Sequence, residues 1–271
     1  MNQNKEDKMC IRNGITILSD ICLPGKNTTR EEIDKLISIC EKKGWTEGML
    51  YYYRNNPGRD DRVNNLVNRK GFDWKMIVPL GPESVVLDAS CGKAHNSISL
   101  SESCKTVFAV DLDEDKLIIN KFRFEQEGIK NIQLFKADVT SLPLYFTENQ
   151  FDFILMSGVL EHVATNKKCE NPYLTQLETL KGIYYILKNN GYFYLGIENR
   201  FAYHHFLGKM SHGDIPFTTI MPRFIANTVN KLIRGKPYTK YIYSYNGYMK
   251  ILKQAGFHDI KIFLVMDYST P

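Results

Sequence analysis

The sequence predicts an α/β fold: an open, mainly parallel β-sheet with helices on both faces. Three observations lead there. Short apolar runs recur along the chain, as strands covered on both faces require. Helical patterns separate these runs, as parallel crossovers require. Each run ends in small or polar residues, and in a parallel sheet those ends share one edge, where ligands bind.

Residues 1–78 precede the sheet and read as an N-terminal helical extension or cap. Thr28, Thr29, Arg30, Glu31 and Glu32 form a capping-box pattern that opens a helix through Lys43. Ile33, Leu36, Ile37 and Cys40 recur at helical spacing, and Gly44 ends the helix. Trp45 to Arg54 starts a second helix carrying Tyr51, Tyr52 and Tyr53, and Asn55-Asn56-Pro57-Gly58 is a turn. Such a piece either covers a cofactor or shapes an acceptor pocket, or it is a packing extension.

The first strand, Val85-Val86-Leu87, runs into Asp88-Ala89-Ser90-Cys91-Gly92-Lys93-Ala94. Ser90, Gly92 and Ala94 keep side chains small, so backbone can approach a ligand closely. The second strand, Val107 to Val110, ends on Asp111, with Asp113 as the cap of a helix near Glu114. The third, Ile132 to Lys136, runs into Ala137-Asp138-Val139. The fourth, Phe151 to Met156, runs into Ser157-Gly158-Val159-Leu160-Glu161-His162. The fifth, Tyr192 to Ile197, ends in Glu198-Asn199-Arg200. An insert over 198–249 follows, with a helix from Ile220 to Arg234 and Pro222 near its start. A last helix precedes Gly256-Phe257, and Ile260 to Val265 reads as a final strand whose exposed edge implies further chain past Pro271 or a partner chain.

The turn after the first strand discriminates between ligands. A dinucleotide fingerprint is Gly-x-Gly-x-x-Gly, whose helix N-terminus receives a pyrophosphate. Here one Gly stands in the turn and a carboxylate precedes it. An acid is poorly placed beside pyrophosphate and well placed near a cation, so Asp88 suits the sulfonium and ammonium groups of S-adenosylmethionine (SAM). An ordinary strand-turn-helix corner with a capping Asp would read the same. Asp111 lies about 20 residues beyond the turn, where an acid meets a ribose hydroxyl pair. Asp138 suits an adenine amino group.

The segments VVLDASCGKA, VFAVDLDEDKL, LFKADVTSLP, FDFILMSGVLEHV, LKNNGYFYLGIEN and LKQAGFHDIKIF resemble a class I SAM-dependent methyltransferase from about Pro79 to Phe263. The resemblance implies a Rossmann-like sheet over 79–271 and SAM as cofactor, with S-adenosylhomocysteine as product. It implies that Asp88, Ser90 and Gly92 line the methionine part. Asp111 and Leu112 would hold the ribose, Asp138 and Val139 the adenine, and Ser157 would border the methyl donor. The family usually has Gly where Ser90 and Ala94 stand. The stretch IENRFAYHHFLG resembles bacterial methyltransferases of polysaccharide and glycoside assembly, which implies a hydroxyl of a sugar, glycosylated natural product or polysaccharide precursor as acceptor.

Methyl transfer is an in-line displacement, for which alignment of the reactants can supply about 7–11 kcal/mol. A hydroxyl acceptor also has a proton to lose. His162 is the first candidate base and Glu198 the second; His162 could instead orient a neighbouring group. Glu161, Asn199, Arg200, His204 and Tyr241 are candidate acceptor contacts, Arg200 for a phosphate or carboxylate. His204, His205 and His212 fit no known metal-ligand spacing, so no metal is expected.

Composition agrees with a globular enzyme. Of 271 residues, 43% are hydrophobic and 24% charged. The net charge of +5 reads as spread along the chain, short of a nucleic-acid footprint, so no nucleic-acid partner is expected. Six cysteines without CxxC spacing suggest neither zinc nor disulfides, and with a polar N-terminus and no apolar run of spanning length they predict a cytoplasmic location. N- or C-methylation of another metabolite, a nicotinamide oxidoreductase and a non-catalytic partner module of the same fold remain the alternatives.

Overall fold

The computed structural model describes residues 10–19, 29–55, 58–67, 75, 77–165, 171–208 and 215–264. Thr28, the Asn56-Pro57 centre of the expected turn, His212 and Val265 lie outside them. The chain forms two compact units, one of residues 1–155, 185–194 and 266–271, the other of 156–184 and 195–265.

Among the described residues, seven strands make one sheet. They are β1 (Cys10–Arg12), β2 (Ile15–Ile17), β3 (Val85–Ala89), β4 (Thr106–Asp111), β5 (Ile132–Lys136), β6 (Phe151–Ser157) and β7 (Leu187–Gly196), ordered β1-β2-β5-β4-β3-β6-β7. β3 pairs in parallel with β4 and with β6, and β4 with β5. This is the expected sheet, and it brings Asp88, the penultimate residue of β3, and Asp111, the last of β4, to the same edge. Val86, Leu100, Val107, Phe153 and Leu155 form one apolar cluster, and Ile17, Ile98, Ala109, Leu117 and Leu134 belong to another; Val107 and Ala109, two apart on β4, put both on one face of the sheet. Phe108, Phe135, Phe146 and Phe151 add ring contacts with centroids 5.2–5.7 Å apart. β7 begins at Leu187, before the apolar run that marks it in sequence. Gly191 permits this, since a Cβ there would lie 3.0 Å from the Asp152 carbonyl oxygen.

The N-terminal region is not purely helical. β1 and β2 form an antiparallel hairpin, and β2 pairs in parallel with β5, adding two strands to the sheet. The Asn13-Gly14 turn has φ of 54° and 74°, the left-handed pair that a two-residue hairpin needs. α1 (Arg30–Lys43) starts at the expected capping box, with Thr29 and Glu32 exchanging bonds, and stops at Gly44. α2 (Trp45–Tyr52) follows, and α3 (Arg59–Val67) has no counterpart in the sequence reading. Gly48 lets α1 and α2 meet, because a Cβ there would overlap Cys40 Sγ.

α4 (His95–Ser101) and α5 (Glu114–Gln126) follow β3 and β4, and Asp113 caps α5 as expected. Arg123 of α5 is buried with its guanidinium 4.1 Å from the Trp45 ring centre, and it donates to the Leu66 carbonyl at 2.9 Å. One side chain thus ties α2 and α3 to the sheet's own helix.

The second unit holds most of α6 (Pro172–Ile186), with α7 (Tyr203–Phe206), α8 (Arg223–Arg234) and α9 (Tyr245–Ala255). α8 starts at Arg223, just after Pro222 and three residues later than the expected start at Ile220, and ends at Arg234 as expected. No strand forms over Ile260–Leu264, so the expected final strand is not present there. Cys10, Cys40, Cys91 and Cys104 are free thiols, and burial raises Cys40 and Cys104 to about 11. Among the described residues no helix is long and apolar enough to cross a membrane.

Candidate active site

The turn after β3 is built on left-handed backbone. Ser90, Gly92 and Ala94 have φ of 121°, 53° and 57°. Glycine reaches these values without strain; Ser90 and Ala94 hold them at a cost. A Cβ at Gly92 would meet nothing within 4 Å, so its conformation, not crowding within the chain, accounts for the glycine. The surroundings pin the turn. Cys91 N–H donates to the Val110 carbonyl at 2.8 Å, Gly92 N–H to Asp111 Oδ2 at 2.9 Å, and Asn120 Nδ2 to the Gly92 carbonyl at 2.9 Å.

Asp88 is buried, and its Oδ2 accepts from Ser97 Oγ at 2.6 Å. Burial pushes its pKa up to about 7, with the Asp111 charge acting the same way and the Ser97 bond opposing. Asp111 is buried too; its Oδ1 accepts from Asp113 N–H at 2.8 Å, and burial raises its pKa. A carboxylate has about four lone-pair sites. Two backbone N–H groups orient Asp111 and leave lone pairs for a ribose hydroxyl pair. Asp138 Oδ1 takes both the Thr140 N–H and hydroxyl at 2.9 and 2.8 Å, capping a 3₁₀ turn that starts at Val139. Leu112 follows Asp111 at the strand end. Three strands therefore present an acid at one sheet edge, beside a turn with little side-chain bulk. These residues fit an adenosyl ligand with a cationic amino-acid end.

Lys93, not anticipated from sequence, also belongs to this turn. Its Nζ lies 4.5 and 3.8 Å from the ring centres of Tyr52 and Tyr53 and bonds the Tyr53 hydroxyl. Burial, then Lys116, lowers its pKa to about 7. The end of α2 therefore rests on the turn, as a cap over that turn requires.

The second unit holds the remaining candidates. Ser157 ends β6. A 3₁₀ turn over Leu160–His162 carries Glu161, which is buried, and His162, whose Nε2 lies 3.9 Å from Glu161 Oε1. Buried Gln176 of α6 was not anticipated. Its Nε2 donates to the carbonyls of Leu160 and Tyr241 at 2.9 and 2.8 Å, and its Oε1 accepts from the Tyr243 hydroxyl at 2.6 Å. It joins the His162 turn to a tyrosine group. The Arg223 guanidinium stands 4.5 Å from the Tyr241 ring centre and 5.7 and 5.9 Å from those of Tyr238 and Tyr243.

Two expected acceptor contacts also bind backbone of their own unit. Arg200 donates from Nε and Nη2 to the carbonyls of Thr219, Ile220 and Met221 at 2.9, 3.1 and 2.6 Å, so three of its five N–H donors hold the insert. Asn199 Oδ1 accepts from Phe201 N–H at 2.9 Å and forms a local turn. Glu198 Oε2 lies 3.7 Å from Nε2 of buried His205. Ligand atoms of Glu198, His204 and His205 all fall within 4.8 Å of one another. That donor set is one a divalent cation accepts, although residue spacing led to the expectation of no metal. The same atoms also make a Glu198–His205 ion pair when the imidazole is protonated.

A family model described as a methyltransferase domain matches residues 80–232, more than half the chain. The chain belongs to that family. Its sheet and flanking helices have the Rossmann-like fold of class I SAM-dependent methyltransferases. Among curated relatives, the demethylmenaquinone methyltransferase of Lactococcus lactis is 29% identical over 139 residues, 48% of this chain and 50% of that one. The tRNA/tmRNA (uracil-C(5))-methyltransferase of Pasteurella multocida is 23% identical over 107 residues, 40% of this chain and 27% of that one. The alignments thus span about a quarter to a half of these two relatives. A SAM-dependent methyltransferase from Aquifex aeolicus superimposes with a TM-score of 0.42 at 16% identity, covering 66% of this chain and 84% of that one.

Proposed function

We propose that this methyltransferase acts on a hydroxyl of a sugar, in a glycosylated small molecule or polysaccharide precursor. The observation that supports the reading most is the Gln176 network, which joins the His162 turn to the Tyr238, Tyr241 and Tyr243 group around Arg223. Aromatic faces with a few fixed polar groups suit a sugar ring, and an imidazole beside them suits its hydroxyl.

In this reading SAM, when bound, supplies an electrophilic methyl group. The turn from Asp88 to Ala94 holds the amino-acid end, Asp111 the ribose and Asp138 the adenine. His162 takes the acceptor proton as general base, and the Glu161 carboxylate at 3.9 Å favours the imidazolium that forms. Tyr241 faces the acceptor. Glu198 is the second candidate base, with His205 as its partner. A hydroxyl acceptor requires a base, which distinguishes it from a thiolate or an amine already deprotonated.

Transfer of a radiolabelled methyl group from SAM to separate panels of glycosides, nucleotide sugars, quinones and tRNA tests the reading. Label in the sugar panels, lost in His162→Ala with SAM affinity retained, supports it. Label confined to tRNA or quinone overturns the acceptor, and unchanged turnover in His162→Ala overturns the base.

A further inference from the structure

Helix α8 is turned inside out. A surface helix ordinarily buries its apolar stripe and exposes its polar side. In α8 the buried positions are Ala226 and Asn230. Asn230 Nδ2 donates to the carbonyls of Lys236 and Pro237 at 2.9 and 3.1 Å, and half-buried Asn227 accepts from Tyr238 N–H at 3.2 Å. The inward face is thus small, polar and hydrogen-bonded. The rest of the helix surface, about half a turn wide, carries Phe224, Ile225, Leu232 and Ile233, exposed by 73%, 39%, 80% and 65%. Rotating the helix to bury them would break the Asn227 and Asn230 bonds, so the outward apolar face is fixed by its polar one.

Charge follows the same segment. From Ile215 to His258 there is no Asp or Glu, while seven Lys or Arg occur, more than the chain's net charge of +5. The positive charge is therefore concentrated, not spread as the sequence reading had it. Lys231, Arg234 and Lys236 stand exposed at the carboxyl end of the helix, and Lys231 borders the side of Phe224. Single exposed apolar residues are ordinary, but an aligned set on one helix marks an interaction surface.

We propose that α8 is an interfacial anchor that docks the enzyme on an anionic lipid bilayer. Phe224, Leu232 and Ile233 enter the acyl boundary, and Lys231 and Lys236 meet lipid phosphates. Such a surface attracts an exposed apolar face with cations at its end, in a segment free of acids. A protein partner would not require a segment of 44 residues without one acid. A nucleic-acid groove would place cations, not Leu232 and Ile233, at its centre. The helix lies on the surface and does not span it. The inference stands apart from the sugar reading, since it needs no particular acceptor.

Co-flotation with vesicles tests it, using the full chain with phosphatidylcholine alone or with roughly one third phosphatidylglycerol. The protein should float with the anionic vesicles only and be released by high salt. A Phe224→Ser, Leu232→Ser, Ile233→Ser variant should lose about tenfold or more in vesicle affinity while keeping its SAM affinity and thermal midpoint, which reports an intact fold. Lys231→Glu with Lys236→Glu should lose binding in the same way. Failure of the wild-type protein to float, or equal flotation of the variants, overturns the proposal. So does light scattering that shows a dimer dissolved by the serine variant without vesicle binding, or retention on RNA in place of vesicles.

Discussion

Ser90 and Ala94 occupy backbone that favours glycine, with φ of 121° and 57°. Non-glycine residues in such regions cost about 1–3 kcal/mol each, partly offset by the lower entropy of their unfolded chain. Ser90→Gly should therefore stabilise the fold by about 1 kcal/mol, read from urea unfolding. Destabilisation would mean the serine side chain holds the turn. Asp88 carries a second residue-scale prediction. Its ordinary value is 3.8, and burial raises it to about 7. A raised carboxylate contributes stability below its unfolded pKa and loses it as pH rises through the folded one. Cationic SAM reverses the preference, because it favours the ionised acid. SAM affinity should rise between about pH 6 and 8, with proton release on binding, and Asp88→Asn should flatten the rise. Calorimetry in two buffers of different ionisation heat measures the proton; uptake in place of release would contradict the assignment.

At the scale of elements, Gln176 decides whether the His162 turn and the tyrosine group hold together. Gln176→Ala removes the partners of two carbonyls and one hydroxyl in a buried place. At about 1–3 kcal/mol for each unsatisfied group, less relaxation, the variant should lose about 3 kcal/mol of stability. Its turnover should fall while SAM affinity holds. Unchanged turnover would separate the network from catalysis. Gln176 was illegible in sequence because its bonds span 16 to 67 residues and follow no local pattern. The hold of Arg200 on the insert was illegible for the same reason, since the three carbonyls it binds lie about twenty residues away. The β1–β2 hairpin was legible and was missed: Asn-Gly between alternating residues signals a two-residue turn. The strands that lead to Asp88, Asp111 and Asp138 were readable because an apolar run directly precedes the first two acids and is separated from the third by two residues. The helix caps at Thr29 and Asp113 were readable because capping is a contact between near neighbours.

The whole molecule divides labour between its units. The first brings the acids of three parallel strands to one sheet edge, and Tyr52 and Tyr53 pack on Lys93 in the turn. The second carries the aromatic insert, the candidate bases and the excess positive charge. The sheet was predictable because local apolar runs and crossover helices allow few topologies. The exposed face of α8 was not, since helical periodicity fixes which residues share a face and not which face points inward. The central claim is that the β3 and β4 acids hold one SAM molecule. Calorimetric titration of SAM into wild-type protein and Asp111→Ala, with thermal midpoints as a check on folding, tests it most directly. The account predicts saturable one-to-one binding by the wild type and a loss of about tenfold or more in the variant, as expected when a carboxylate's hydrogen bonds to ribose are removed. Equal affinity in a folded variant would contradict it.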